Sequence, residues 1–80
     1  MYYVIEHQKR PDGIVNVSET ARSTYEMGQS YYHERLSKMI VNKDFVSVAL
    51  MFVDEDLNIF ANETIKTLYE APEIQEKEND

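Results

Sequence analysis

Along residues 2–8 apolar and polar positions alternate, with Tyr3, Ile5 and His7 on one side and Tyr2, Val4 and Glu6 on the other. That two-residue period, in β-branched and aromatic residues, predicts a strand. Arg10-Pro11-Asp12-Gly13 interrupts it. Proline presets φ for the second turn position, Asp suits the third, and glycine takes the positive-φ place that follows a type I turn. Alternation resumes over Ile14–Ser18, which predicts a β-hairpin. The period then lengthens. Tyr25, Gly28, Tyr32, Leu36 and Met39 recur at spacings of three and four, which predicts a helix from about Thr24 to about Val41. Ser23-Thr24-Tyr25-Glu26 has the S-x-x-E form of a capping box, with Ser23 as N-cap. Asn42 marks the other end and tolerates a left-handed C-cap. Gly28 costs a helix interior about 1 kcal/mol relative to Ala. Its place within the apolar stripe predicts a close approach of helix backbone to sheet.

Residues 45–53 form the most apolar run. Val46, Val48, Leu50 and Phe52 share one face, and Phe45, Ser47, Ala49, Met51 and Val53 the other. Apolar residues on both faces predict a strand covered on both sides. Asp54–Asn58 reads as a turn, and 59–69 as a fourth strand, with Ile59, Ala61, Ile65 and Tyr69 facing away from Phe60, Thr64 and Leu68. A helix beginning at Asn62 is the rival for the last segment; its β-branched content favours the strand. After Pro72 the run EIQEKEND carries almost no apolar side chain, so 71–80 is expected to be an acidic disordered tail beyond a single domain over 1–70. The predicted fold is α+β: a single-layer antiparallel four-stranded sheet in the order β-β-α-β-β, with one helix packed on one face.

That architecture leaves a shortfall. One helix covers one face of the sheet, yet the third strand is apolar on both. A second copy is the usual cover in soluble proteins, so a homo-oligomer is expected. Length points the same way. Eighty residues bury only ~60% of the surface their unfolded chain exposes, and a core of that size rarely supplies more than ~3–5 kcal/mol without a staple. The chain has no cysteine, which removes disulfides and thiolate metal sites from consideration.

Charge changes the picture next. The net value is −7, unevenly placed: residues 1–43 carry six Lys/Arg against five Asp/Glu, and residues 44–80 two against ten. Duplex nucleic acid demands a basic footprint that this chain lacks, so direct duplex binding is not expected. No stretch is long and apolar enough to span a bilayer as a helix, and the N-terminus lacks the order of a signal peptide, which predicts a protein of the cytoplasm with no membrane partner.

Candidate chemistry is sparse. His33-Glu34 opens like H-E-x-x-H, but Ser37 stands where the second histidine belongs. Asp54-x-Asp56-x-Asn58 opens like an EF-hand loop, but Ile59 and Ile65 occupy the glycine and bidentate-glutamate positions. Gly13 and Gly28 are the only glycines, too few for a phosphate-cradling loop. No metal, cofactor or enzymatic activity is expected. What remains is a helix flank: Tyr31, Arg35 and Lys38 at i, i+4 and i+7, with Arg22 at the helix entrance and His33 beside them. An aromatic ring beside cations can stack a base and hold a phosphate. Competing with this is a solvated edge carrying a Glu34–Lys38 pair.

"YYVIE", the "DG" turn, the helix carrying "YYH" and "VSVALMFVDEDLNIF" together resemble a group of small proteins encoded by viruses of Gram-positive bacteria, over residues 2–69. Those proteins are often alanine-rich near the end of the helix, where this chain has Lys38-Met39-Ile40-Val41. The resemblance implies a setting, the bacterial host cytoplasm, rather than roles for residues. Small acidic phage proteins often antagonise bacterial defence, by soaking up a nucleotide-like immune signal or by occluding a defence protein. The alternative is a structural or assembly accessory of the virus particle.

Overall fold

The computed structural model describes residues 1–66, 69 and 70; the expected tail over 71–80 lies outside them. Four strands and one helix follow in the predicted order: β1 (Tyr2–Lys9), β2 (Val15–Arg22), α1 (Tyr25–Ile40), β3 (Ser47–Asp54) and β4 (Ile59–Lys66). The sheet runs β2-β1-β3-β4, every pairing antiparallel. The two hairpins thus join through their first strands, and α1 crosses between them. The last segment is a strand through Lys66, so the rival helix from Asn62 does not form.

Local chemistry closes each turn. Gly13 has φ +92°, its N–H donates to the Arg10 carbonyl at 2.9 Å, and the Arg10 N–H donates to Ile14 at 2.8 Å. The second hairpin turns on Asp54. One carboxylate oxygen accepts from the Asp56 and Asn58 amides, the other from the Asn58 side chain, all at 2.9 Å, and Leu57 takes φ +64°. The Asn58 side chain, with these backbone amides, holds the Asp54 carboxyl below its usual range.

The helix ends differ from the capping box. Thr24, not Ser23, is the N-cap; its backbone is extended (φ −125°, ψ 157°) and its hydroxyl accepts from the Met27 amide at 3.2 Å. With the frame moved by one residue, Met27 takes the position that a box acid requires, and Glu26 acts only as a first-turn charge facing the positive helix end. At the C-terminus Val41 is the cap in right-handed geometry, and Asn42 instead accepts from the Asp44 amide at 2.8 Å.

The core lies between α1 and one sheet face. Val4, Val48, Leu50 and Phe52 on the sheet and Tyr32 and Met39 on the helix are all buried. Gly28 is buried among them: a Cβ there would lie 2.6 Å from Phe52 Cε1. Tyr32 brings one polar atom into this core, a hydroxyl with no hydrogen-bond partner among the described residues. Burial, then the Glu63 carboxylate, push its phenol above the usual range. Tyr32→Phe removes an unsatisfied group at nearly constant shape, so we expect stability to rise by about 1 kcal/mol, read as a higher urea midpoint.

One face assignment is corrected. The β3–β4 register shifts between Phe52 and Val53, so that Phe52 opposes Ala61 while Val53 opposes Ile59. Phe60 is the extra residue of this bulge. Its ring stands on the helix side, 5.3 Å from Phe52 and 5.3 Å from Tyr25, and Ile59 is left on the opposite face. A bulge adds one residue to a period of two, which breaks strict alternation at that point.

No helix or strand covers the face away from α1 among the described residues, although Val53, opposite Tyr3 and Ile59 on that face, is 1% exposed. β2 is informative here. Asn16, Ser18, Thr20 and Arg22 register with the helix-side residues of β1, whereas Val15, Val17 and Ala21, with the charged Glu19 opposite Ile5, register with the far-face residues Lys9, His7 and Tyr3. The edge strand therefore turns its apolar side away from the helix.

Candidate functional site

Arg22 ends β2 on the helix side, and the first turns of α1 rise next to it. Met27, Ser30, Tyr31 and Glu34, at i, i+3, i+4 and i+7, form one wall of the helix. Arg22 and this wall, with Glu26 above, enclose an open groove of about 350 Å3. Its centre is a stack: the Arg22 guanidinium carbon lies 4.6 Å from the centroid of the Tyr31 ring, within cation–π range. The Tyr31 ring is held from the sheet side, where the Thr20 hydroxyl donates to the Tyr31 hydroxyl at 3.3 Å. Arg22 Nη1 donates to the Ala21 carbonyl at 2.9 Å, which fixes the plane of the guanidinium.

The expected flank is divided rather than assembled. Arg22 and Tyr31 meet. Arg35 instead reaches beneath the helix to Glu6 on β1, its Nε and Nη2 donating to the two carboxylate oxygens at 2.8 and 2.9 Å. Lys38 pairs with Glu34 at 3.1 Å, both ends exposed, as the solvated-edge alternative has it. His33 stands outside the groove, edge-on to Tyr32 with ring centroids 5.7 Å apart.

Glu6 is the polar centre of the interior, 3% exposed on the face that otherwise carries Val4, Leu50 and Val48. Burial pushes its carboxyl up, but hydrogen bonds from Arg35 and Gln8 and the Arg35 charge outweigh that and hold it below the usual range. Arg35 is raised in turn, first by its hydrogen bond to Glu6. This bidentate fork fixes α1 in register on β1. Its signal was present in the chain: Glu6 shares an inner face with Tyr2 and Val4, and Arg35 sits beside the stripe residues Tyr32 and Met39. The groove residues Glu26, Met27 and Ser30 had no such signal, since their meeting with Arg22 depends on where β2 ends.

A second, smaller recess of about 190 Å3 lies on the uncovered sheet face, with Ile5, His7, Ala49, Met51, Asn62 and Thr64 around it. In register, His7, Ala49 and Thr64 form one row and Ile5, Met51 and Asn62 the next on that face. Ala49, the smallest of these, makes the dip.

Among the described residues no group of three or more His, Cys, Asp or Glu is placed to hold a metal ion, and no helix is long and apolar enough to cross a membrane. Comparison with protein-family models, curated proteins and solved structures gives no match.

Proposed function

We propose that the protein is a non-enzymatic binding protein of phage type that antagonises a bacterial anti-phage defence system. In this reading it works as a homo-oligomer in the host cytoplasm and sequesters a nucleotide-like immune signal. The observation that supports it is the Arg22–Tyr31 stack in an open groove. A base can extend that stack over the outer face of the guanidinium, whose remaining N–H groups suit a phosphate oxygen. Glu26, Glu34 and Ser30 offer acceptors for the amino or imino edge of the base.

Melting the purified protein against a panel of linear and cyclic nucleotides tests this. A ligand at one hundred times its Kd adds roughly 2.7 kcal/mol, which for a domain this small moves the midpoint by more than ~10 °C. Arg22→Ala should abolish the shift while lowering ligand-free stability by no more than about 1 kcal/mol, the size of the half-exposed stack on Tyr31 that it removes. Absence of a shift with every nucleotide removes the signal-binding reading.

A second reading, occlusion of a defence protein, is favoured by one observation. Two carboxylates line the groove, and the chain carries −7 overall, so a basic protein surface is also complementary to it.

A further inference from the structure

We infer that the uncovered sheet face is the interface of an isologous homodimer, in which Met51 of each copy fills the dip above Ala49 of the other. The strand pattern demands a cover on this side. Val15, Val17 and Ile59 are 48%, 61% and 56% exposed there, and β2 turns its valines toward it, with Glu19 as the one charge among them, and its Asn, Ser, Thr and Arg22 toward the helix. A strand stabilised by the helix alone would carry the opposite pattern.

The size of the face fits a second copy. Four strands of eight residues span ~26 Å by ~19 Å at ordinary strand rise and spacing. Two such faces cover about 1,000 Å2 in projection, and side-chain relief raises the accessible area into the lower range of specific interfaces.

The relief is self-complementary. Half-buried Ile5 and Met51 wall one side of the recess, and one row farther along the same strands Ala49, between His7 and Thr64, forms its dip. A two-fold axis lying across the strands, between these rows, places each wall over the partner's recess. Met51 of one copy then meets Ala49 of the other, and Ile5 meets His7. Reciprocal contact of this kind is what a closed two-fold interface requires, and sheets packed face to face interdigitate in this way. The pairing specifies the homo-oligomer of the reading above and does not involve the Arg22–Tyr31 groove. An intact dimer without nucleotide response, or the reverse, shows which of the two has failed.

Sedimentation velocity over a concentration series, with circular dichroism at each point, is the test. The wild-type chain should run as a dimer. Ala49→Phe fills the recess and should weaken association at least tenfold while the protomer stays folded. Exchanging the two residues in one chain (Ala49→Met with Met51→Ala) reverses knob and hole and should restore the dimer. Because the chain has no cysteine, a mixture of Ala49→Cys and Met51→Cys proteins should oxidise to the mixed dimer faster than either protein to its own. A wild-type monomer at every concentration would overturn the proposal, as would an Ala49→Phe dimer as tight as the wild type. Should residues 67–80 of the same chain cover the face, Ala49→Phe would lower the melting temperature with no change of mass, which also overturns it.

Discussion

Replacing Arg35 by alanine should lower stability by about 3–5 kcal/mol, the usual cost of stranding one member of a buried ion pair. Glu6 is the reason. It is 3% exposed and receives both of its firm charge-assisted hydrogen bonds from one guanidinium. Without that fork the carboxyl keeps only the Gln8 amide as a donor, so it must either stay charged in a largely apolar core or take up a proton. In a domain whose whole stability is on the order of 5 kcal/mol, that leaves about 0–2 kcal/mol, so from a few per cent to about half of the molecules would be unfolded at room temperature. Removing both partners is a different change. Glu6→Leu with Arg35→Met leaves no stranded charge and should fall within about 1 kcal/mol of wild type. Urea denaturation of the single and double variants separates the two outcomes. Arg35→Lys keeps the charge but loses the fork, and should lie between them.

The same pair sets an acid limit. The Glu6 carboxyl titrates lower in the folded chain than its ordinary value of 4.5. The unfolded chain therefore binds the proton more readily, and the contribution of Glu6 is complete above about pH 4.5. It is lost as pH falls through the folded value. The urea midpoint of the wild type should drop on acidification below that point, with a shallower drop in the double variant.

Gly28→Ala should destabilise the protein by about 1–3 kcal/mol, although alanine is the better helix former by about 1 kcal/mol. The added methyl would stand 2.6 Å from Phe52 Cε1, 3.0 Å from Phe52 Cζ and 3.3 Å from Tyr2 Cβ. Phe52 cannot yield easily. It is 1% exposed, and its ring is packed by Tyr2, Tyr25, Tyr32 and Phe60. Either α1 lifts from the sheet or the aromatic cluster repacks, and both lose contact with the core. Phe52→Leu, itself destabilising, should make the Gly28→Ala change less harmful. A double-mutant cycle in urea would read that coupling directly.

The fold was largely legible because most elements carry a clear period; only the last strand also had helical spacing. The β1 alternation, the Pro11-Asp12-Gly13 turn, the α1 stripe and the two-faced apolar run of β3 each point to one conformation. The capping motif points to Ser23 because Ser23 and Thr24 are adjacent hydroxyl residues, and only the extended backbone at Thr24 decides which one reaches an amide. Strict alternation puts Phe60 on the wrong face because a bulge adds a residue that hydrophobic pattern does not mark. The candidate site was less legible. Helical spacing groups Tyr31, Arg35 and Lys38, but spacing does not say which cation has a carboxylate waiting across the sheet. Glu6 draws Arg35 inward, Glu34 holds Lys38, and Arg22 is left with Tyr31 because β2 happens to end there.

One helix leaves a face of the sheet bare, and the proposed second copy completes it. Native mass spectrometry of the freshly purified chain tests this most directly. A two-chain species that splits on introducing Ala49→Phe is the predicted result. A single chain that stays compact and folded as concentration is raised would contradict it.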